Sequence, residues 1–330
     1  MTESDELVQA FVAEVDCIAE RFIRCFGLKF EKETAQPTSS LHRWLDFVFR
    51  HIEPAWREPE FSAGFWKRMP KNVVTTVDLA VHLLCNNGDI NPYQSKGLLG
   101  NDESGERRGR RTDLLWADWG IHHFHLTDDD IASGEYFAGR SNWLLFALVF
   151  KDTVLCIDVR HHPKGVGFSD EELLTIAIRN WPRIFENWKL KDAVGLERTE
   201  PYSKKDIHDL RSCGVSALHG VDGAVYAPPG GGITTASTST LVSGAANHIL
   251  SKVKARAAFF ADRGREPFAR CREAGVEEPD WRLCLTPKGL AVYEKTLDMA
   301  WLMAESGPDP NWVEILAPKW AVARLVAAKA

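Results

Sequence analysis

The sequence lacks the segments and motifs that would assign it to several common classes of protein. The 330-residue chain contains no run of about 18 apolar residues, so it predicts no transmembrane helix. Its acidic, amphipathic start, MTESDELVQAFVAEVDCIAERF, has no basic and apolar leader, which predicts no signal peptide. The seven cysteines are scattered, odd in number and never in a CxxC pair. That pattern favours reduced thiols over a disulfide framework or a zinc ribbon. Together these absences predict a cytoplasmic protein without membrane association.

The chain is also short of positive charge. A net charge of −6 argues against a generally basic nucleic-acid-binding surface, although a local basic patch remains compatible with it. One such patch is the cluster Arg107–Arg111, in the stretch GERRGRR. Two interpretations of this cluster remain open: it contacts a polyanion, or it lies in a loop exposed to solvent. Tryptophan, by contrast, is abundant at 12 residues. Most of these are expected in the core, and exposed ones would suit a protein partner.

Hydrophobic periodicity predicts an α+β fold in three parts. Residues 1–90 contain three amphipathic stretches and predict a helical N-terminal lobe. Residues 91–195 predict an α+β unit: a small antiparallel sheet that includes the hairpin NWLLFALVF-KD-TVLCIDV, and a closing helix capped by Ser169. Residues 196–330 predict an α+β C-terminal segment. This segment has a short helix capped by Ser203, a hairpin with a type I′ turn at Asp222–Gly223 and a helical tail, KGLAVYEKTLDMAWLMAES.

The C-terminal segment also contains a loop rich in glycine, threonine and serine at residues 229–240, within PPGGGITTASTST. Backbone amides in such a loop, followed by a helix N-terminus, are able to bind a phosphate group. The lysine of a Walker loop and the GxGxxG pattern are both missing. The loop is either an anion site or a flexible surface linker, and the sequence favours the linker.

The stretch DWGIHHFHL places three histidines within four positions, 122 to 125. In a strand, side chains alternate between the two faces. Phe124 and Leu126 then mark the core side together with His122, and His123 and His125 share the opposite face with Ile121. Two imidazoles at i and i+2 would suit a general acid and base, or two ligands of one metal ion. We therefore take His123 and His125 as the centre of a candidate site.

The hairpin that follows contributes further candidates. Arg140 precedes its first strand, and Asp158, Arg160, His161 and His162 lie at the end of its second. Alternation on the second strand predicts that Cys156, Asp158 and Arg160 share one face. RNA cleavage by transesterification needs a base for the 2′-hydroxyl, an acid for the leaving oxygen and a cation for the phosphate. His123 and His125 would be the acid and the base, and Arg140 would be the cation. His161 or His162 would assist them. This mechanism needs no cofactor.

The order of HFHL, an acidic loop and GRSNWLLFALVFKDTVLCIDVRHH, within residues 118–182, resembles the core of RelE/HigB-like bacterial toxins. In that family a basic-tipped segment precedes an Arg-led strand, a tight turn and a strand that ends in basic residues. The resemblance covers about 60 of the 330 residues and implies a small α+β sheet. It also implies RNA cleavage without a metal ion, as in a toxin or a phage-defence effector.

Two other classes of function remain open at this stage. A metal-dependent hydrolase would use the HxH pair, with His123, His125 and Asp158 as ligands, although no HExxH motif accompanies it. Asp113 and Asp118 are further possible carboxylate ligands. A non-catalytic module that binds a protein or senses a ligand is compatible with the tryptophan count and the long loops. The leading hypothesis is a metal-independent ribonuclease with RNA as its partner. The sequence names neither the substrate nor the oligomeric state.

Overall fold

The structure, a computed structural model, describes residues 3–31, 39–102, 111–191, 202–303 and 312–328. Within these ranges helices and several small sheets occur together, so the predicted α+β class is confirmed. Of the arginine cluster, Arg111 alone falls inside the described residues. None of the described helices combines the length and the apolar character needed to cross a membrane.

The helices of the described ranges are α1 (Glu3–Cys25), α2 (Ser39–Arg50), α3 (Phe65–Arg68), α4 (Val74–Cys85), α5 (Gly97–Gly100), α6 (Leu114–Trp119), α7 (Glu171–Asn180), α8 (Pro182–Phe185), α9 (Lys204–Ser212), α10 (Thr240–Ala261), α11 (Glu266–Glu273), α12 (Trp312–Leu316) and α13 (Lys319–Ala327). The strands are β1 (Glu58–Phe61), β2 (His122–His125), β3 (Trp143–Val149), β4 (Thr153–His161), β5 (His219–Val221), β6 (Ala224–Tyr226), β7 (Trp281–Thr286), β8 (Gly289–Glu294) and β9 (Met299–Leu302).

The contacts divide the chain into two compact units, each made of separate segments. The terminal unit contains Met1–Val48, Asp102–Glu106 and Val242–Ala330, and the central unit contains Phe49–Asn101 and Arg107–Leu241. The three-part division at residues 1–90, 91–195 and 196–330 stays a prediction. Strand β1 was not expected in the first 90 residues, because its four residues, EPEF, are too few to show an alternating pattern.

In the terminal unit, helix α1 packs on the antiparallel sheet β7-β8-β9. The Glu14 carboxylate of α1 accepts a hydrogen bond from the Leu283 amide at 2.6 Å. The tail that was predicted to be helical forms β8 and β9 instead, so that prediction is wrong. The apolar residues at 290 and 292 are buried by pairing with β7, and Asp298 turns the chain with φ of 52°. Sheet pairing has overridden local helix propensity there.

The central unit is built on a four-stranded sheet in the order β1-β4-β3-β2. Strands β2, β3 and β4 are antiparallel neighbours, as predicted, and β1 adds to β4 in parallel. One face packs on α4 through a core that includes Phe124 and Leu126, and the other packs on α7 through a core that includes Ile121 and Phe146. The site described below lies on the second face.

Two of the predicted boundary features in the central unit are confirmed and one is wrong. Helix α9 begins with the expected Ser203 cap, in a capping box with Asp206. The β5-β6 hairpin turns at Asp222 and Gly223, whose φ values of 50° and 77° match the predicted turn type. Helix α7, however, is capped by the Asp170 side chain rather than by Ser169.

Candidate functional site

Strand β2 sorts its side chains as alternation predicts. Phe124 belongs to the core on one face of the sheet, and the His122 ring stacks beside it with ring centroids 6.0 Å apart. His123 pairs across the strands with Phe146, which belongs to the core on the other face. His125 follows two residues later, and its ring centroid lies 6.5 Å from that of His123. The predicted juxtaposition of His123 and His125 is therefore present.

The second hairpin strand departs from the predicted alternation. The register between β3 and β4 shifts next to Phe146, so that Phe146 pairs with Asp158 and Ala147 pairs with Cys156. This β-bulge places Asp158 on the same face as His123 and leaves Cys156 in the opposite core. The prediction that Cys156, Asp158 and Arg160 share one face is therefore wrong, because a bulge reverses the alternation beyond it.

His123 and His125 line a cavity of about 370 Å³, which we call the histidine cavity. Its wall is rich in basic groups, which are His123, His125, His162, His208, Arg50, Lys96, Arg140 and Arg211. Among the described residues that line it, Asp113 is the only acid. A cavity with this balance of charge favours an anionic ligand, since opposite charges attract most strongly where water is scarce.

Asp113 connects helix α6 to the candidate site. One carboxylate oxygen caps the helix by accepting hydrogen bonds from the amides of Leu115 and Trp116, at 3.0 and 3.2 Å. The other oxygen lies 3.4 Å from Nδ1 of His123, a charge contact whose geometry is not that of a hydrogen bond. Burial opposes ionisation of Asp113, but His123, Arg50 and the helix amides outweigh it and lower the pKa of this carboxyl group. The carboxylate favours the proton of His123 on Nδ1, which leaves Nε2 as the acceptor.

His125 has the opposite arrangement of its ring nitrogens. The Ser141 amide donates a hydrogen bond to Nδ1 of His125 at 3.3 Å, so the neutral ring carries its proton on Nε2. Burial and the neighbouring His123 lower the pKa of His125 to about 4, against the opposing effect of the Ser141 amide. Burial also lowers the pKa of His123, and Asp113 offsets part of this effect. Both rings are therefore neutral at neutral pH.

His162 contributes a third imidazole. Its ring stacks on His125 with the centroids 5.6 Å apart. Its Nδ1 lies 3.1 Å from the carbonyl oxygen of Pro163, so Nδ1 is the donor and Nε2 is the acceptor in the neutral form. Phe168 packs against both His123 and His162, at 4.9 and 5.7 Å between ring centroids. Three imidazoles and one aromatic ring thus form one connected wall of the histidine cavity.

The cations of the cavity differ in how they are held. Arg211 is buried, with Nε donating to Asp118 at 2.8 Å and Nη1 donating to the carbonyl oxygen of Phe168 at 3.0 Å. Its Nη2 is buried without a hydrogen-bond acceptor among the described residues. Arg140 and Lys96 are exposed, and neither forms an ion pair or a side-chain hydrogen bond within the described ranges. Their charges are thus available to an anionic ligand.

Two predicted site residues lie away from the cavity. The exposed His161 packs its ring edge-on against Trp143, at 5.3 Å, and does not line the cavity. Asp158 is bound by two arginines, accepting from Nε of Arg68 at 3.1 Å and from Nε of Arg160 at 2.9 Å. In the described part of the chain, no group of three or more His, Cys, Asp or Glu side chains is arranged to bind a metal ion. The geometry therefore does not favour the metal site of His123, His125 and Asp158.

Sequence reasoning missed several residues that line the cavity. Arg50 ends a helix in the first predicted lobe, Lys96 lies in a long loop, and His208 and Arg211 belong to α9. Asp113 was considered only as a metal ligand. Its position before LLWADW, where a helix begins, was the available indication that it caps α6. The others had no local pattern, because tertiary packing alone brings them to the cavity.

The loop at residues 229–240 is neither an anion site nor a free linker. The amides of Gly230 and Gly232 donate to the carbonyl oxygens of Asp118 and Ala117, at 2.9 and 3.1 Å, so they are not free for a phosphate. Gly230 approaches α6 so closely that an added Cβ would lie 2.5 Å from the Trp116 carbonyl oxygen. Ser239 is fully buried. The favoured prediction of a flexible surface linker is therefore wrong: this loop packs against the end of α6.

The tryptophans are mostly enclosed, as predicted. Trp56 and Trp66 are the two that are strongly exposed. Trp66 packs beside Phe61 and Phe65, with ring centroids 4.8 and 5.2 Å away. A protein partner at these rings stays a prediction.

Comparisons of the chain with models of protein families, with curated proteins and with solved structures found no match. The resemblance of residues 118–182 to RelE/HigB-like toxins is not tested by these comparisons. The function must therefore be argued from the geometry of the histidine cavity.

Proposed function

We propose that the protein is a metal-independent ribonuclease whose active site is the histidine cavity. The observation that carries this proposal is the set of three imidazoles, His123, His125 and His162, on one wall of a cavity rich in positive charge. Their partners give the neutral rings different tautomers, so that different ring nitrogens are free to accept a proton. Acid-base cleavage requires one ring in its neutral form to accept a proton and another in its protonated form to donate one.

The neutral tautomers suggest the roles. His123, oriented by Asp113, presents Nε2 as the base that removes the proton of the 2′-hydroxyl group. The 2′-oxygen then forms a bond to phosphorus as the bond from phosphorus to the 5′-oxygen breaks, which yields a 2′,3′-cyclic phosphate and a 5′-hydroxyl. His125 gives the leaving oxygen its proton. A bound phosphodiester anion favours the protonated state of His125 that this step needs, in which Nδ1 also carries a proton and no longer accepts from the Ser141 amide. Arg140 neutralises the charge that develops on the phosphate.

The dimensions of the cavity favour unpaired RNA as the substrate. His123 and His125 are only 9% and 7% exposed, so the scissile phosphate has to enter the cavity to reach them. A volume of about 370 Å³ is at the lower end of ligand cavities and suits about one nucleotide. A base in a duplex cannot enter without unpairing, whereas a single strand can present one nucleotide and stack it on an aromatic ring. Phe137, which also lines the cavity, is such a ring.

The test compares single-stranded RNA with DNA of the same sequence, each in excess chelator. We expect cleavage of the RNA alone, with cyclic phosphate ends, and loss of that cleavage in His125→Ala. His161→Ala is the matched control, since His161 lies on strand β4 of the same sheet but outside the cavity. Cleavage of DNA, a requirement for added metal, or full activity of His125→Ala would contradict the proposal.

A non-catalytic anion sensor is the second candidate for the same cavity. The observation in its favour is that His123 and His125 are neutral and enclosed, while Arg140 and Lys96 are exposed and form no ion pair among the described residues. Binding of a nucleotide without any cleavage would support this candidate over the ribonuclease. A role as a toxin or phage-defence effector depends on the ribonuclease proposal and on the resemblance at residues 118–182.

A further inference from the structure

The central unit has a second cavity, beside His122 at the start of strand β2. It measures about 400 Å³, and we call it the tryptophan cavity because Trp116, Trp119 and Trp188 line it. Phe49, Phe150 and Phe185 complete its aromatic walls. Among the described residues that line it there is no Asp, Glu, Lys or Arg. Its lining is therefore aromatic and uncharged, whereas that of the histidine cavity is polar and basic. Both cavities lie beside helix α6 and strand β2.

His122 is the one ionisable side chain among the described residues that line the tryptophan cavity. The residue is 8% exposed, and its ring makes no hydrogen bond to any described residue. Burial lowers the pKa of His122 to about 3, so the ring is neutral at physiological pH. A buried polar group without a partner is costly, and a ligand that hydrogen-bonds to it removes that cost. The ring is thus an unused hydrogen-bonding group in an otherwise apolar cavity.

The walls of the tryptophan cavity are held by contacts that do not need a ligand. The Trp119 indole donates to Nε2 of His219 at 2.9 Å, and His219 in turn contacts Glu171 at 2.7 Å. The Gly120 amide donates to the Trp116 carbonyl oxygen at 2.7 Å, which ends α6 at the cavity wall. Phe150 and Leu241 lie at exposed positions on the rim. The cavity is therefore formed in advance, as small-molecule sites usually are.

We propose that the tryptophan cavity binds a neutral, planar aromatic ligand that forms one hydrogen bond with His122. Aromatic walls favour a flat ring, because offset and edge-on contacts between rings are attractive. A charged ligand is disfavoured, since the lining offers it no opposite charge in a setting poor in water. The linings of the two cavities share no described residue, so this ligand is separate from the substrate of the histidine cavity. The inference does not depend on the proposed ribonuclease activity.

Indole and indole-3-carboxylate are the probes, because they share a ring and differ in charge. The chain is labelled at its histidines, and NMR follows the His122 resonance, which is assigned by its loss in His122→Phe. We expect millimolar indole to shift this resonance and indole-3-carboxylate to bind at least about tenfold more weakly. In His122→Phe, where the His122 resonance is gone, binding is followed through the resonances of indole itself, and it should weaken about fivefold, as expected for the loss of one neutral hydrogen bond.

Leu241→Trp places a large ring on the rim and should weaken indole binding by about tenfold or more. Leu302→Trp is the control, because Leu302 is equally exposed but lies in the terminal unit. An unmoved His122 resonance, equal binding of both probes, or unchanged binding by a folded Leu241→Trp variant would overturn the proposal. The comparison of the two probes uses the unmodified chain, so it tests the proposed preference for a neutral ligand even if a variant does not fold.

Discussion

The two cavities of the central unit are made by neighbouring histidines on opposite faces of one short strand. His123 faces a carboxylate, two further imidazoles and several cations, whereas His122 faces tryptophans and phenylalanines. Burial lowers the pKa of both rings. Asp113 partly restores the basicity of both rings, but it is His123 whose Nδ1 lies within 3.4 Å of the carboxylate, which orients that ring. The difference shows that a histidine becomes a candidate for proton transfer through its neighbours, since burial alone makes it a neutral hydrogen-bonding group.

The largest test of this contrast is His123→Ala. Removal of a general base is expected to lower kcat for RNA cleavage by about 10³-fold, because such groups contribute on the order of 10² to 10⁴. Steady-state cleavage of a single-stranded RNA measures the change. His161→Ala should stay near the activity of the unmodified chain. Equal losses in the two variants would show that the histidine cavity has no special role.

Arg140→Ala tests the role of the cations that surround His123 and that the tryptophan cavity does not have among its described lining residues. Loss of a cation that neutralises charge in the transition state is expected to lower kcat/KM by on the order of 100-fold. Arg140→Lys should recover part of this loss, because it restores the charge but not the paired donor geometry. The measurement is repeated at two salt concentrations. An Arg140→Ala variant with unchanged kcat/KM would exclude this residue as the phosphate clamp.

Asp113→Asn isolates the effect of the carboxylate on His123. Asparagine is also a good helix N-cap, so the start of α6 should be preserved while the charge is removed. We expect kcat to fall about 50-fold through loss of orientation and basicity. Because Asp113 raises the pKa of His123, that pKa should fall further in the variant, as measured by NMR. A lower kcat with an unchanged His123 pKa would instead indicate a purely structural role.

The smallest predicted effect concerns stability at acid pH. Burial lowers the pKa values of His122 and His125 to about 3 and about 4 in the folded chain. In the unfolded chain both rings bind protons below about pH 6.5. Stability is therefore full above that pH and is lost as the pH falls towards the folded values, by about 2 kcal/mol per ring at pH 5.

His122→Phe should reduce this acid-induced loss by about 2 kcal/mol, because the unfolded chain then has one fewer ring to protonate. Urea unfolding at pH 8 and pH 5 measures it for the variant and for the unmodified chain. If both lose the same stability between these pH values, His122 is not held neutral by burial and the contrast between the two faces fails.

Much of the local structure could be predicted from the sequence. The faces of β2, the hairpin β3-β4, the Ser203 cap and the Asp222–Gly223 turn follow from alternation, side-chain capping and left-handed backbone preference. The error on residues 288–303 has a physical cause. Apolar spacing there was compatible with a helix, but pairing with β7 stabilises strands.

The candidate site could be predicted only in part. His123 and His125 were found because both lie on one strand, and Arg140 and His162 because they flank the next hairpin. Asp113 was noticed without its role, and Lys96, His208 and Arg211 were not found at all. His161 was included because it is adjacent to His162, but alternate residues of an extended chain point in opposite directions. Sequence proximity is therefore a poor guide at the end of a strand.

What the sequence by itself determined is local: the pairing of His123 with His125 on one face, the positions of several caps and turns, and the α+β class. These depend on dihedral preferences and on a two-residue period, which neighbouring residues are sufficient to set. The tertiary structure alone decided which carboxylate orients His123, which cations surround it, and that His122 faces an apolar cavity. Those contacts join segments far apart in the chain, and a bulge in β4 changes which of them face the site. A local sequence pattern does not predict contacts of this kind.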